Sequence, residues 1–163
     1  MTLSTDPKYE DLTLSTHLAL RMREHGKKAL AIAETLHRLN VPVTYPGLPS
    51  FRQHRTINAQ INSGYGYDGL LTVDCLTQEK ANELLSYLQN DIQFGLIAVS
   101  LGYFDTLMSC SGSTTASEIA PEDQIKMGLS GGLVRMSIGL TGSIEERVKQ
   151  IESAVKALRM NLI

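Results

Sequence analysis

A chain of 163 residues with formal net charge −2, 42% apolar and 20% charged residues is sized for one compact domain with a real core, not two. No basic run recommends nucleic acid, no apolar stretch approaches the ~20 residues of a membrane-spanning helix, and the polar start lacks a signal-peptide core. Two cysteines (Cys75, Cys110) and four histidines without zinc-like spacing favour free thiols in a reducing cytoplasm over a disulfide framework or a metal site.

Residues 1–14 lack apolar periodicity, carry Pro7, and read as an extended lead-in to a single domain over 15–163. A long helix is expected from Ser15 or Thr16 to about Asn40, because Met22, Ala29, Ile32, Ala33, Leu36 and Leu39 recur at helical spacing. Pro42, Pro46 and Pro49 then end it by fixing φ and removing donors. The stretch Gln53 to Asp68 gives no clear period, and its Gly-Tyr-Gly-Tyr favours a loop. Gly69 to Cys75 reads as a strand. Thr77 is placed to cap a helix running through Gln89, with Ala81, Leu84, Leu85 and Leu88 on one side.

Phe94 to Ser100 is expected to be a second, largely buried strand, and Leu101 to Glu118 a polar loop. Pro121 suits the first turn of a short helix ending near Gly128. In Leu133 to Gly139 the residues Val134, Met136 and Ile138 alternate with Arg135 and Ser137, as a strand requires. Ser143 and Glu146 form a capping box for a final helix with the stripe Ile144, Val148, Ile151, Val155 and Leu158. The order predicts an α/β two-layer sandwich: a small three- to four-stranded sheet with helices on one face, and an opposite face either covered or wet.

Five stretches, taken in order, carry a resemblance. They are Arg21-Met22-Arg23-Glu24-His25; Tyr45-Pro46-Gly47-Leu48 with Gln53-His54 behind it; Ala98-Val99-Ser100-Leu101-Gly102; Thr106-Leu107; and Gly132-Leu133-Val134-Arg135-Met136-Ser137-Ile138-Gly139-Leu140. Together they resemble the C-terminal part of the Cys/Met-metabolism enzymes that depend on pyridoxal phosphate (PLP), among them the methionine γ-lyases and cystathionine γ-lyases. The resemblance implies the small C-terminal domain of a fold-type-I subunit, whose larger domain supplies the Schiff-base lysine and most of the cofactor grip. None of the seven lysines (Lys8, Lys27, Lys28, Lys80, Lys126, Lys149, Lys156) sits in the serine- and threonine-flanked setting of that lysine. The chain alone is therefore expected to hold no PLP and to turn over no substrate.

By pattern alone, Arg135 is either a sheet arginine paired to a structural carboxylate or a ligand-binding one; a planar, permanently charged fork suits an α-carboxylate. The resemblance implies the second role, with Ser100 beside the same carboxylate. It places Val99 and Thr115 at the substrate side-chain pocket. Relatives acting on cystathionine tend to carry glutamate or tyrosine at the position of Val99, and methionine γ-lyases carry valine, so the resemblance favours methionine γ-lyase-like chemistry, with cystathionine γ-lyase next. The substrate implied is a small sulfur-containing amino acid, and the assembly a homo-oligomer. Three departures stand out: Cys110 and Ala116 where relatives carry histidines, and Thr141 where they usually carry glutamate. Two other classes stay open from the residues themselves, a non-catalytic partner-binding domain and an amino-acid-sensing regulatory domain.

Overall fold

The computed structural model describes residues 17–62, 64–111, 114, 119–127 and 129–158. Along the chain it shows α1 (Leu18–Arg38), β1 (Val43–Thr44), α2 (His54–Gln60), β2 (Leu70–Asp74), α3 (Gln78–Ser86), β3 (Leu96–Ile97), β4 (Leu107–Cys110), α4 (Pro121–Lys126), β5 (Leu133–Ser137) and α5 (Ile144–Ala157). The strands form one five-stranded sheet in the order β1-β2-β5-β4-β3, antiparallel except for the parallel pair β3 and β4. Helices α1, α3 and α5 cover one face, burying Ile32, Leu36, Leu84, Leu85 and Ile151 against Leu71, Val73, Met108, Val134 and Met136. Each large apolar side chain so buried contributes roughly 1.5–3 kcal/mol, which makes this layer the chief source of stability.

The helix stripes, the two longer strands and both caps stand where the sequence puts them. Ser143 accepts from the Glu146 amide at 3.1 Å, and Glu146 reaches back to the Ser143 amide. Thr77 accepts from the Lys80 amide. Past Ser86 the helix continues as a single π-helical turn, Tyr87–Asp91. The long first helix stops at Arg38, after which Asn40 takes a positive φ of 56° and Pro42 follows.

Four expectations need correction. The sheet has five strands, because β1 lies inside the proline-rich segment and β4 inside the supposed polar loop. Both are short, and neighbouring prolines, serines and threonines mask their pattern. The run Phe94 to Ser100 is not a buried strand. Only Leu96 and Ile97 pair, at the sheet edge, and both are about half exposed (46% and 49%). A continuous apolar run has the same composition whether it is covered on both faces or left open at an edge. Finally, α2 occupies part of the segment read as a loop; it buries no residue and so has no stripe to betray it. The lead-in, and the exact start of the first helix at Ser15 or Thr16, lie outside the described residues.

Candidate functional site

Strands β3 and β4 run parallel, so the chain between Ile97 and Leu107 must travel back along the sheet. The helices occupy one face. Residues 98–106 therefore cross the other, passing over β4 to reach β5, in keeping with the burial of Leu107 and Ser109 there. Three hydrogen bonds hold the middle of this crossing loop. Arg135 Nη2 donates to the Ser100 carbonyl at 3.3 Å, Arg21 Nη2 to the Gly102 carbonyl at 2.8 Å, and the Gly102 amide to Ser137 Oγ at 3.3 Å. Gly102 has φ of 69°, a left-handed conformation that glycine adopts without steric cost.

Arg135 stands mid-strand on this face, opposite the side bearing Val134 and Met136, which are buried. Its cross-strand partners are Thr72 on β2 and Ser109 on β4, so hydroxyl-bearing residues flank it. The guanidinium Nε is buried without a hydrogen-bond partner, and among the described residues no carboxylate forms an ion pair with Arg135. A structural sheet arginine is ordinarily paired. A buried guanidinium N–H left unmet costs free energy unless something else meets it. The sheet thus presents a planar donor with spare capacity at the mouth of the crossing loop.

Of the candidate residues, the structure brings Arg135 and Ser100 together, though through the serine carbonyl; Ser100 itself lies in the crossing loop and not at a strand end. Val99, next to it, is 58% exposed. Thr115 and Ala116 lie outside the described residues. Cys110 belongs to β4 rather than to a loop; it is buried on the helix-covered side, and its thiol donates to the Gly131 carbonyl. Beyond Ser137, the same face holds a cavity of about 220 Å³ lined by Arg21, Met22, His25, Leu70 and Leu101 among others. His25 closes its floor by donating from Nδ1 to the Ile138 carbonyl.

Sequence reasoning missed Arg21, Thr72, Ser109 and Gly102 as parts of this face. Strand pairing reveals Thr72 and Ser109, and hydrogen bonds to the crossing loop reveal Arg21 and Gly102, since the four come from separate segments. It also left Thr141 without an account. The Thr141 hydroxyl donates to Asp105 Oδ1 at 2.6 Å and accepts from Arg147 Nη2 at 2.6 Å. Arg147 is itself buried, giving further hydrogen bonds to the carbonyls of Thr141 and Phe94 while its guanidinium lies over the Phe94 ring.

One described lysine is buried and the others are exposed. Lys28 is buried, but its ammonium is committed to the carbonyls of Leu140, Thr141 and Gly142. Lys27, Lys80, Lys126, Lys149 and Lys156 are exposed on helices. Among the described residues no group of three His, Cys, Asp or Glu could hold a metal, and no helix is long and apolar enough to cross a membrane.

Residues 13–156 match the family described as Cys/Met metabolism PLP-dependent enzyme. A methionine gamma-lyase of Arabidopsis thaliana is 52% identical over 138 residues, 85% of this chain and 31% of that protein. An L-methionine gamma-lyase of Pseudomonas deceptionensis is 35% identical over 143 residues, covering 86% of this chain and 34% of its own length. Among solved structures, cystathionine gamma synthase of Xanthomonas oryzae pv. oryzae, in complex with aminoacrylate and cysteine, superposes with a TM-score of 0.73 at 27% identity, over 88% of this chain and 36% of that one. The chain thus spans about a third of the length of the relatives it matches. On the match over nearly its whole length, the chain belongs to the Cys/Met metabolism family of PLP-dependent enzymes.

Proposed function

We propose that this chain is the substrate-carboxylate-binding C-terminal part of a PLP-dependent carbon–sulfur lyase acting on a sulfur amino acid, with methionine favoured over cystathionine. The observation that carries the reading is Arg135: a half-buried guanidinium with an unmet Nε and no ion-pair partner among the described residues, facing the crossing loop at Ser100. A carboxylate there would satisfy the free N–H groups and neutralise the charge together. Val99, exposed beside Ser100, offers an apolar contact that suits a methyl thioether better than a charged distal group. The family resemblance implies Thr115 for the same side-chain pocket.

In this family PLP supplies the electron sink, and this chain's described lysines are placed elsewhere. The part played here is to bind and orient the amino acid. The chain alone is then colourless and inactive, and it works in the cytoplasm as part of a homo-oligomeric enzyme. The exposed apolar side chains Leu96 and Ile97 of β3 and Leu101, Tyr103 and Phe104 of the crossing loop give it a surface to be covered in such an assembly. The test is to join this chain to the PLP-binding part of a methionine γ-lyase and measure thiol release from L-methionine against L-cystathionine. Release favouring methionine is expected. A joined protein that holds PLP yet releases thiol from neither substrate would refute the reading.

A further inference from the structure

The crossing loop is anchored at two places, and the second lies away from Arg135. At its root, residues 104–106 press against the segment that leaves β5. The Phe104 carbonyl accepts from the Leu140 amide at 2.7 Å and the Thr141 amide at 3.3 Å, and Thr106 Oγ1 accepts from the Gly139 amide at 3.0 Å. The segment 139–142 is held in turn from below: Lys28 donates to the Gly142 carbonyl at 2.7 Å, and Arg147 Nε to the Thr141 carbonyl at 3.0 Å. The Thr141 side chain joins the loop root to α5. The Thr141 hydroxyl gives its single proton to Asp105 and takes a proton from Arg147, whose Nη2 also stands 3.5 Å from Asp105 Oδ1. A hydroxyl can donate and accept at once; an ionised carboxylate at this position could only accept, and would face Asp105 with like charge.

We propose that Thr141 is a positioning residue for the carboxylate site: its hydroxyl, clasped between Asp105 and Arg147, fixes the root of the loop and thereby the place of Ser100 against Arg135. This rests on the reading that Arg135 receives the substrate carboxylate. Asp105, whose carboxylate takes the Thr141 proton, directly follows Phe104 on the loop side, and residues 100–104 have no strand or helix of their own to hold them. Their position is set by the two anchors, so loosening one frees Ser100 to move relative to Arg135.

The test uses the 163-residue chain labelled with ¹⁵N. The Arg135 Nε–H and the Ser100 to Gly102 amides are followed by NMR during titration with L-methionine, and with L-methioninol as the probe lacking the carboxylate. Methionine is expected to shift these signals and methioninol to leave them in place. Thr141→Val, which keeps the shape and removes the hydroxyl, should raise the methionine concentration at half-titration about tenfold, the equivalent of one hydrogen bond of ordinary net strength. Thr141→Ser should restore it. If the valine variant loses its fold, Asp105→Ala removes the same bond from the loop side and carries the same expectation.

Wild-type behaviour of Thr141→Val while Arg135→Lys weakens the response of the Ser100 to Gly102 amides would overturn the role of Thr141 and leave the carboxylate reading standing. So would a serine variant as weak as the valine one. Equal responses to both probes, or none to methionine in the wild type, would overturn the carboxylate reading itself.

Discussion

Gly139 lies two residues beyond the end of β5, and its substitution tests how tightly the crossing loop is seated on the sheet. A Cβ built at this position falls 2.5 Å from the Thr106 amide nitrogen and 2.6 Å from Asp105 Cα, both backbone atoms. Ordinary non-bonded separations are about 3.5–4.0 Å, so Gly139→Ala must push two main-chain segments apart by roughly 1 Å. Overpacking of this kind costs about 1–3 kcal/mol, and more when backbone rather than a flexible side chain must yield. The shift also strains the Gly139 amide bond to Thr106 Oγ1 and the Leu140 amide bond to Phe104, each worth about 1 kcal/mol. A loss of about 3–5 kcal/mol follows, a large share of the 5–15 kcal/mol typical of a domain. Equilibrium unfolding in urea, with a slope of about 2 kcal/mol/M, should show the midpoint lower by roughly 1.5–2.5 M. Gly131→Ala is the control: nothing lies within 4 Å of its Cβ, and its effect should stay within about 0.5 kcal/mol. Equal midpoints for the two variants would refute the close seating of loop on sheet.

Ser143→Ala removes the serine half of the capping box and should cost about 1 kcal/mol by urea unfolding, whereas Ser143→Asp should retain most of the stability. Burial pushes the Tyr45 phenol and the Cys75 thiol up to about 12, from ordinary values of 10.0 and 9.0. The folded state then holds protons that the unfolded chain has already released. Their contribution is complete below about pH 9 and is lost as pH rises towards 12, by up to about 1.4 kcal/mol per pH unit for each group, which urea titrations at stepped pH will show as a falling midpoint. In the native protein Cys75 should also resist alkylation at pH 8, and react once urea unfolds the chain. In the joined enzyme, Val99→Glu should depress kcat/KM for methionine more than for cystathionine, whose distal ammonium can pair with the new carboxylate; equal losses would remove Val99 from the specificity pocket.

The helix-covered layer was legible in the sequence because burial there follows one rule at a time: a helical stripe in α1 and α5, alternation through Val134, Arg135 and Met136 in β5, and a capping box at Ser143. The open face was not, because its parts share no local period. Strand β3 is two residues long and β4 four, and the loop between them is apolar in composition yet exposed at Val99, Leu101, Tyr103 and Phe104. Arg135 could be singled out from its strand and the resemblance, but whether it had a carboxylate partner within the fold was a question of three-dimensional neighbours. Thr141 shows the same limit. As a departure from the family pattern it had no meaning until Asp105, 36 residues earlier, and Arg147, a turn into α5, were found on either side of its hydroxyl.

The central claim is that Arg135 holds the substrate α-carboxylate, and its most direct measurement is kcat/KM of Arg135→Lys for L-methionine and L-cystathionine in the joined enzyme. Lysine keeps the charge and loses the fork, and both substrates present the same α-carboxylate to it. A hydrogen bond to a charged group is worth roughly 1.5–3 kcal/mol, so the account predicts a fall of about tenfold to a hundredfold, equal for the two substrates. Unchanged rates, or a loss confined to one substrate, would contradict it.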